Sequence, residues 1–134
     1  MIQFDQRIIG FINIFERITR AKVKDCFEEG DTLTFLVQLR EASKAVGKKG
    51  ENLRKVSKIM KKEIKIIEYN PNPIKFLLNL IYPLRVEIQE KENKLIIKTK
   101  DNREKGLIFG REKSKLKRIQ KLFKKYFPHE IIIE

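Results

Sequence analysis

Two rhythms of apolar residues alternate along the chain. Ile8, Phe11, Ile12, Phe15 and Ile18 recur at helical spacing, which predicts an amphipathic helix over 5–20. A strand follows over 22–28, closed by a turn at Glu29-Gly30-Asp31. Over 32–39 Leu33, Phe35, Val37 and Leu39 alternate with Thr34, Leu36 and Gln38, the period of a half-buried strand. A short helix over 41–46 stops at Gly47. A second starts after Gly50 and runs to 62, burying Leu53, Val56 and Met60 on one face, and a strand over 64–69 follows. The rest of the chain repeats the series. A helix is expected over 74–81, and Leu84, Val86 and Ile88 alternate along a strand. A hairpin at 90–93 leads to a strand over 94–100. A short helix ends at Phe109, a long one over 114–126 buries Leu116, Ile119 and Phe123, and Ile131–Ile133 closes as a strand.

The repetition extends to residue identity. Shifted by 63 residues, Arg40-Glu41 falls on Arg103-Glu104, Gly47 on Gly110, Leu53 on Leu116, Lys58 on Lys121 and Lys61-Lys62 on Lys124-Lys125. The chain reads as a tandem duplication with units over 1–70 and 71–134, each ordered helix, strand, strand, helix, helix, strand. The fold class expected is α+β. Between the halves, Asn70-Pro71-Asn72-Pro73 carries two prolines that fix φ, so the joint reads as short and stiff.

Charge sharpens the picture. The 134 residues carry 31 Lys and Arg against 18 Asp and Glu, a net +13. Residues 40–65 hold ten basic and three acidic side chains, and residues 103–125 hold ten basic and two acidic. The excess therefore lies on the two equivalent helix–loop–helix segments. There Arg54, Lys55, Lys58, Lys61 and Lys62 sit off the apolar face, mirrored by Lys117, Arg118, Lys121, Lys124 and Lys125. A cationic face built twice at matched positions points to a polyanion, nucleic acid ahead of an anionic membrane. No apolar run approaches the ~20 residues that span a bilayer, and Met1–Gln6 lacks the basic head of a secretory signal. With one cysteine, Cys26, and one histidine, His129, neither an internal disulfide nor a Cys/His metal site is available. These features suit a soluble, cytoplasmic protein.

Gly47-Lys48-Lys49-Gly50 joins the two helices of the first segment. Two glycines let the main chain turn and approach another backbone closely. The N–H groups that open the next helix face the same spot with the positive end of its dipole behind them, and two lysines add charge at the tip. Such a loop can grip a phosphodiester backbone.

The loop within this element order resembles the KH domain, whose GxxG loop clamps about four nucleotides of a single strand. A helix and strand ahead of the central strand, with one strand after the GxxG helix, look like the type II, prokaryotic form. Two such domains filling residues 5–134 are similar to the short archaeal relatives of the transcription factor NusA. The resemblance implies two tandem type II KH domains, each with a three-stranded sheet covered by helices. It also implies binding of single-stranded RNA, a nascent transcript, in elongation, termination or antitermination, with RNA polymerase a possible partner. Carried over residue by residue, the nucleic-acid contacts fall on Gly47, Lys48, Lys49, Gly50, Asn52, Arg54, Lys55 and Lys58. In the second half they fall on Gly110, Arg111, Lys113 and Lys117. That loop departs from the pattern: it reads Gly110-Arg111-Glu112-Lys113, with lysine in place of the second glycine and an acid at the tip. Its grip is expected to be the weaker.

Other residues carry less. Cys26 reads as a part-buried thiol and His129 as a surface residue; Phe109, Phe123, Tyr126 and Phe127, at helical spacing, read as core. Gly106–Gly110 lacks the spacing of a phosphate-binding P-loop, and no nucleophile–base set is evident. No enzyme activity, cofactor, metal or small-molecule substrate is expected. Two alternatives stay open: an RNA-binding factor in ribosome assembly or RNA processing, and a basic protein-interaction module with vestigial loops.

Overall fold

The structure is a computed structural model that describes residues 6–134. The chain divides into two units, Met1–Asn70 and Pro71–Glu134. The first runs α1 (Gln6–Thr19), β1 (Val23–Glu29), β2 (Thr32–Val37), α2 (Ala42–Val46), a single 3-10 turn (Lys48–Gly50), α3 (Glu51–Met60) and β3 (Glu63–Glu68). The expected start of the first helix, residue 5, lies outside the described residues. The three strands form a sheet in the order β1-β2-β3. β1 and β2 pair antiparallel through a tight turn, and β2 and β3 pair parallel, Thr32 opposite Glu63 and Val37 opposite Glu68. Parallel neighbours need a crossover. The segment α2–turn–α3 is that crossover, which puts the Gly47–Gly50 loop where the chain reverses between its two helices.

The amphipathic face of α1 accounts for much of the first core. Phe15 stacks on Phe35 of β2 with ring centres 4.0 Å apart, and Ala45, Val56 and Ile64 bring α2, α3 and β3 into the same cluster. Leu33, Phe35 and Val37 face these helices, but Thr34 and Leu36 on the opposite face are buried as well. β2 is therefore buried throughout rather than half-buried as its alternation predicts. As the middle strand it is paired along both edges. Cys26 is more than part-buried, with 4% of its surface exposed. Burial pushes its thiol up to about 12, with the Asp25 and Glu28 carboxylates adding to the effect.

The second unit repeats the order as α4 (Pro73–Ile81), β4 (Glu87–Lys91), β5 (Lys94–Lys98), α5 (Asn102–Phe109), a 3-10 turn (Arg111–Lys113), α6 (Ser114–Lys124) and β6 (Glu130–Ile133). Its sheet is β4-β5-β6, antiparallel then parallel. The prolines of the joint have a local task. Asn72 caps α4, its Oδ1 accepting from the Ile74 and Lys75 N–H groups, and Pro73 takes the first helical position, where a missing N–H costs nothing. The core is aromatic: Phe76 lies 6.1 Å from Phe123, 5.9 Å from Tyr126 and 5.7 Å from Phe127.

Three expectations are corrected here. Leu84 and Val86 precede β4, because β5 ends at Lys98, opposite Glu87, and leaves residues 84–86 without a ladder partner. The strand expected to reach residue 100 stops because Asp101 caps α5, its carboxylate accepting from the Glu104 N–H. His129 is not a surface residue: its side chain is 12% exposed, packed near Phe123 and Phe127, with Nε2 3.0 Å from Glu90 Oε2. Its Nδ1 is buried without a hydrogen-bond partner.

The repeat offset also changes along the unit. Loop to loop it is 63 residues. At the closing strands it is 67, since Glu63 donates its N–H to the Asp31 carbonyl and Glu130 donates its own to Asn93. Of the four extra residues, one lengthens α6 and three lie between α6 and β6. Arg40-Glu41 and Arg103-Glu104 match in sequence yet differ in setting. Glu41 stands just before α2 and accepts from the Lys22 N–H, whereas Glu104 lies inside α5 and accepts from Lys100 N–H.

Candidate nucleic-acid interface

α2 ends because Gly47 leaves helical geometry at φ 79° and ψ 171°, its N–H donating to the Ser43 carbonyl. Lys49 (φ 54°, ψ 27°) and Gly50 (φ 75°, ψ 17°) then turn left-handed before α3 begins. The two glycines serve different needs. A Cβ on Gly47 would come within 2.9 Å of the Asn52 main-chain nitrogen, so nothing larger fits. A Cβ on Gly50 would meet only Arg54 Nη1, at 3.2 Å, so that position asks for a backbone angle rather than for space.

Two predicted contact residues hold the loop in shape. Asn52 Nδ2 donates to the Lys44 carbonyl across the α2–α3 corner at 2.9 Å. Arg54 hooks its guanidinium onto the Lys49 carbonyl. Lys48, Lys49, Arg54, Lys55 and Lys58 are exposed. Lys62 leaves the cationic face: its ammonium sits 2.7 Å from Glu28 and donates to the Gly30 carbonyl, with 13% of the side chain exposed.

The second loop repeats the first angle for angle. Gly110 stands at φ 69° and ψ −176°, Glu112 at φ 55° and ψ 31°, and Lys113 at φ 61° and ψ 18°. A Cβ on Gly110 would collide with Lys115 at 2.5 Å, so the first glycine is again required by space. Lys113 takes the left-handed angle despite its Cβ, and its ammonium lies 5.7 Å from the centre of the Phe109 ring. Arg111, Lys113 and Lys117 are exposed. Lys115 and Lys117 stand where the first loop has Asn52 and Arg54, so the corner tie and the hook belong to the first loop.

Helix starts separate these loops from the rest of the fold. α4 and α5 are capped by Asn72 and Asp101, and α2, uncapped by Glu41, has the Glu68 carboxylate at its Ala42 N–H, while neither α3 nor α6 has a side-chain cap. The Glu51 and Ser114 N–H groups close the preceding turns onto the Lys48 and Arg111 carbonyls; the opening N–H groups beyond them have no side-chain cap, and the dipole favours an anion there. Beside the first loop an open groove of about 410 Å³ is lined by Leu53, Arg54, Ser57, Lys58, Glu63 and Ile64. No cluster of side chains able to hold a metal occurs among the described residues, and no described helix is long and apolar enough to cross a membrane.

No family model matches the chain. Curated relatives do. A "Probable transcription termination protein NusA" of Methanocaldococcus jannaschii is 26% identical over 119 residues, 86% of this chain and 65% of that protein. Another so named, of Methanococcus vannielii, is 30% identical over 86 residues, 64% of this chain and 50% of the relative. A third, of Thermoplasma acidophilum, is 24% identical over 131 residues, 94% of this chain and 90% of the relative. The chain is NusA-like. It spans only half to two thirds of the length of the first two of these relatives. Among solved structures, the crystal structure of APE1850 matches 98% of the NusA-like chain with a TM-score of 0.73 and 24% identity, a likeness of fold.

Two parts of the candidate site are not legible in the sequence. The groove needs the approach of α3 to β3, and periodicity names its apolar members without showing that Glu63 joins them. The loss of Lys62 depends on Glu28 and Gly30, more than 30 residues away in the chain. A usable signal existed for Glu63, an acid inside a strongly basic segment. The change of offset hid its counterpart, Glu130.

Proposed function

We propose that this chain is a single-stranded RNA-binding protein of two tandem type II KH domains, acting on nascent transcripts in elongation and termination, in the cytoplasm and without a catalytic step. The observation that carries the reading is the pair of superimposable loops, each opening an uncapped helix beside exposed cations. The names of the archaeal relatives direct it to transcription and make RNA polymerase the partner to seek. In this reading the N–H groups after Gly50, with Lys48 and Lys49, hold phosphates. Asn52 and Arg54 fix the loop, and Arg54 also offers its outer N–H groups to the strand. Bases lie along Leu53 and Ile64, and Lys55 and Lys58 add salt-sensitive affinity. Gly110, Arg111, Lys113 and Lys117 form a second, weaker grip, because Glu112 repels phosphate and no hook steadies the loop.

The test is a salt titration of RNA binding by the full chain. Lys48→Asp with Lys49→Asp should weaken binding steeply. If both lysines touch phosphate, the slope of log affinity against log salt should shrink by about 1.4, at ~0.7 per phosphate on a single strand. Stability should move by no more than about 0.5 kcal/mol, as for exposed loop changes generally. Arg111→Asp with Lys113→Asp should cost less affinity. Unchanged affinity in both variants would remove the loops from the interface and favour a protein-interaction module.

A further inference from the structure

The α1–β1 and β2–α2 connections meet at one end of the first sheet. Gln38 donates its N–H to the Lys22 carbonyl, and Lys22 donates its own to Glu41 Oε1 at 2.9 Å. Glu41 Oε2 holds the Lys44 ammonium at 3.1 Å. Around this tie Arg20, Lys22, Arg40 and Lys44 are exposed. The other acids of this end are engaged: Glu16 accepts from the Val23 N–H and Glu68 from the Ala42 N–H. Arg20 and Arg40 make no ion pair among the described residues.

Both arginines occupy the left-handed backbone well, at φ 62° and 68°. Glycine and asparagine fill that well with less strain. Arg20 closes α1, its N–H on the Glu16 carbonyl at 2.8 Å, a position that helices most often give to glycine. Strain of this kind gathers where a side chain has a task. Lys49 and Lys113, the left-handed cations of the two loops, show the same device. In the second unit this end is built otherwise: α4 gives way to Tyr82-Pro83, Asp101 caps α5, and no arginine is left-handed. The crossover sets the patch in line with the first loop. α2, five residues long, leads from it to Gly47, and the Lys44 carbonyl receives Asn52 at the loop corner. The groove reaches Ile64 near the start of β3. The patch lies at the far end of the same ladder, about 17 Å along the strands at ~3.3 Å per residue. The loop stands on the crossover that joins those two ends.

We propose that Arg20 and Arg40, with Lys22 and Lys44, form a second phosphate-binding patch, which holds the RNA strand beyond the loop on the side away from the groove; this rests on the RNA-binding reading above. Guanidinium groups suit the task, because each presents a fixed fork of donors that phosphate oxygens accept two at a time. The patch reads no base. It lengthens the strand that the first unit holds and adds salt-sensitive affinity.

The experiment measures binding of oligouridine of about four and about ten nucleotides to the full chain, by fluorescence anisotropy across a salt series. Arg20→Asn with Arg40→Asn removes both guanidinium groups and sets in each well a residue that tolerates it. The melting transition should hold or rise. The longer strand should bind about tenfold more weakly, the scale of one charge-assisted hydrogen bond. Its salt slope should shrink by about 1.4 if each arginine holds one phosphate, at ~0.7 apiece. The shorter strand, of the length one loop and groove hold, should bind as before. Arg20→Lys with Arg40→Lys keeps both charges and should keep the slope. Lys22→Gln with Lys44→Gln, away from the strained backbone, should cost the longer strand alone. A variant with unchanged affinity for the longer strand overturns the proposal and leaves RNA binding standing, as does an equal loss for both lengths. Loss of polyglutamate binding with RNA binding intact overturns it in favour of an acidic protein at the patch. Binding of neither strand by the unaltered chain overturns both readings.

Discussion

Gly50 and Lys113 occupy the same left-handed backbone well, at φ 75° and 61° and ψ 17° and 18°. A side chain there costs about 1–2 kcal/mol, partly offset by the smaller entropy that lysine loses on folding. The second loop carries that strain and the first does not. Lys113→Gly should therefore stabilise the chain by about 0.5 kcal/mol, while Gly50→Ala should destabilise it by about 1 kcal/mol. Denaturant midpoints of the two variants should move in opposite directions.

The first glycine of each loop should matter more to stability than the second. At Gly47 an alanine would combine the unfavourable φ with a Cβ 2.9 Å from the Asn52 main-chain nitrogen, and at Gly110 with one 2.5 Å from the Lys115 Cβ. Gly47→Ala should cost about 2–3 kcal/mol, well above Gly50→Ala by the same denaturation measurement.

Lys58 and Lys62, four residues apart on one basic stretch, should give opposite phenotypes. Lys62→Ala removes the link to Glu28 and the Gly30 carbonyl and should lower stability by about 1 kcal/mol with little change in the salt slope of RNA binding. Lys58→Ala should leave the melting transition alone and reduce that slope by about 0.7. Paired calorimetry and salt titration separate them.

Cys26 ties stability to alkaline pH. Its thiol is raised from 9.0 to about 12 by burial and by the Asp25 and Glu28 carboxylates, so the folded state holds the proton more tightly than the unfolded chain. The stabilisation is complete below pH 9.0 and is lost as pH rises from there toward about 12. The stability advantage of the unaltered chain over Cys26→Ala should be constant up to that point and shrink above it. A thiol-directed alkylating reagent at pH 8 should modify Cys26 only on unfolding.

Periodicity carried the order of elements because each helix and strand buries one clear face. Ile8 to Ile18 announce α1 from spacing alone. What periodicity could not carry were features set by partners elsewhere. Leu84 and Val86 alternate like strand residues, but a ladder also needs length in the opposite strand, and β5 is too short to supply it. His129 looks polar in isolation and is drawn inward by Phe123, Phe127 and Glu90. In the site, the glycine spacing marked where each helix pair reverses. The repeat sets Lys113 where the first loop has its second glycine, but a lysine there does not by itself disclose that the left-handed angle is kept. Nor does the basic run disclose that Lys62 faces inward, onto Glu28 and the Gly30 carbonyl.

The missing caps on α3 and α6 have a consequence in time. A capped N–H is shielded whether or not a ligand is present, whereas the opening amides of these two helices trade hydrogen for solvent deuterium as fast as water reaches them. At Ile74 and Glu104 the caps of Asn72 and Asp101 should slow that exchange in every state. At Asn52 and Lys115 it should be quick in the isolated protein and slow only when an anion settles there. The chain thus carries its own clock at each loop, with internal standards at the two capped helices, and the order in which the clocks stop along an RNA would tell which loop is occupied first.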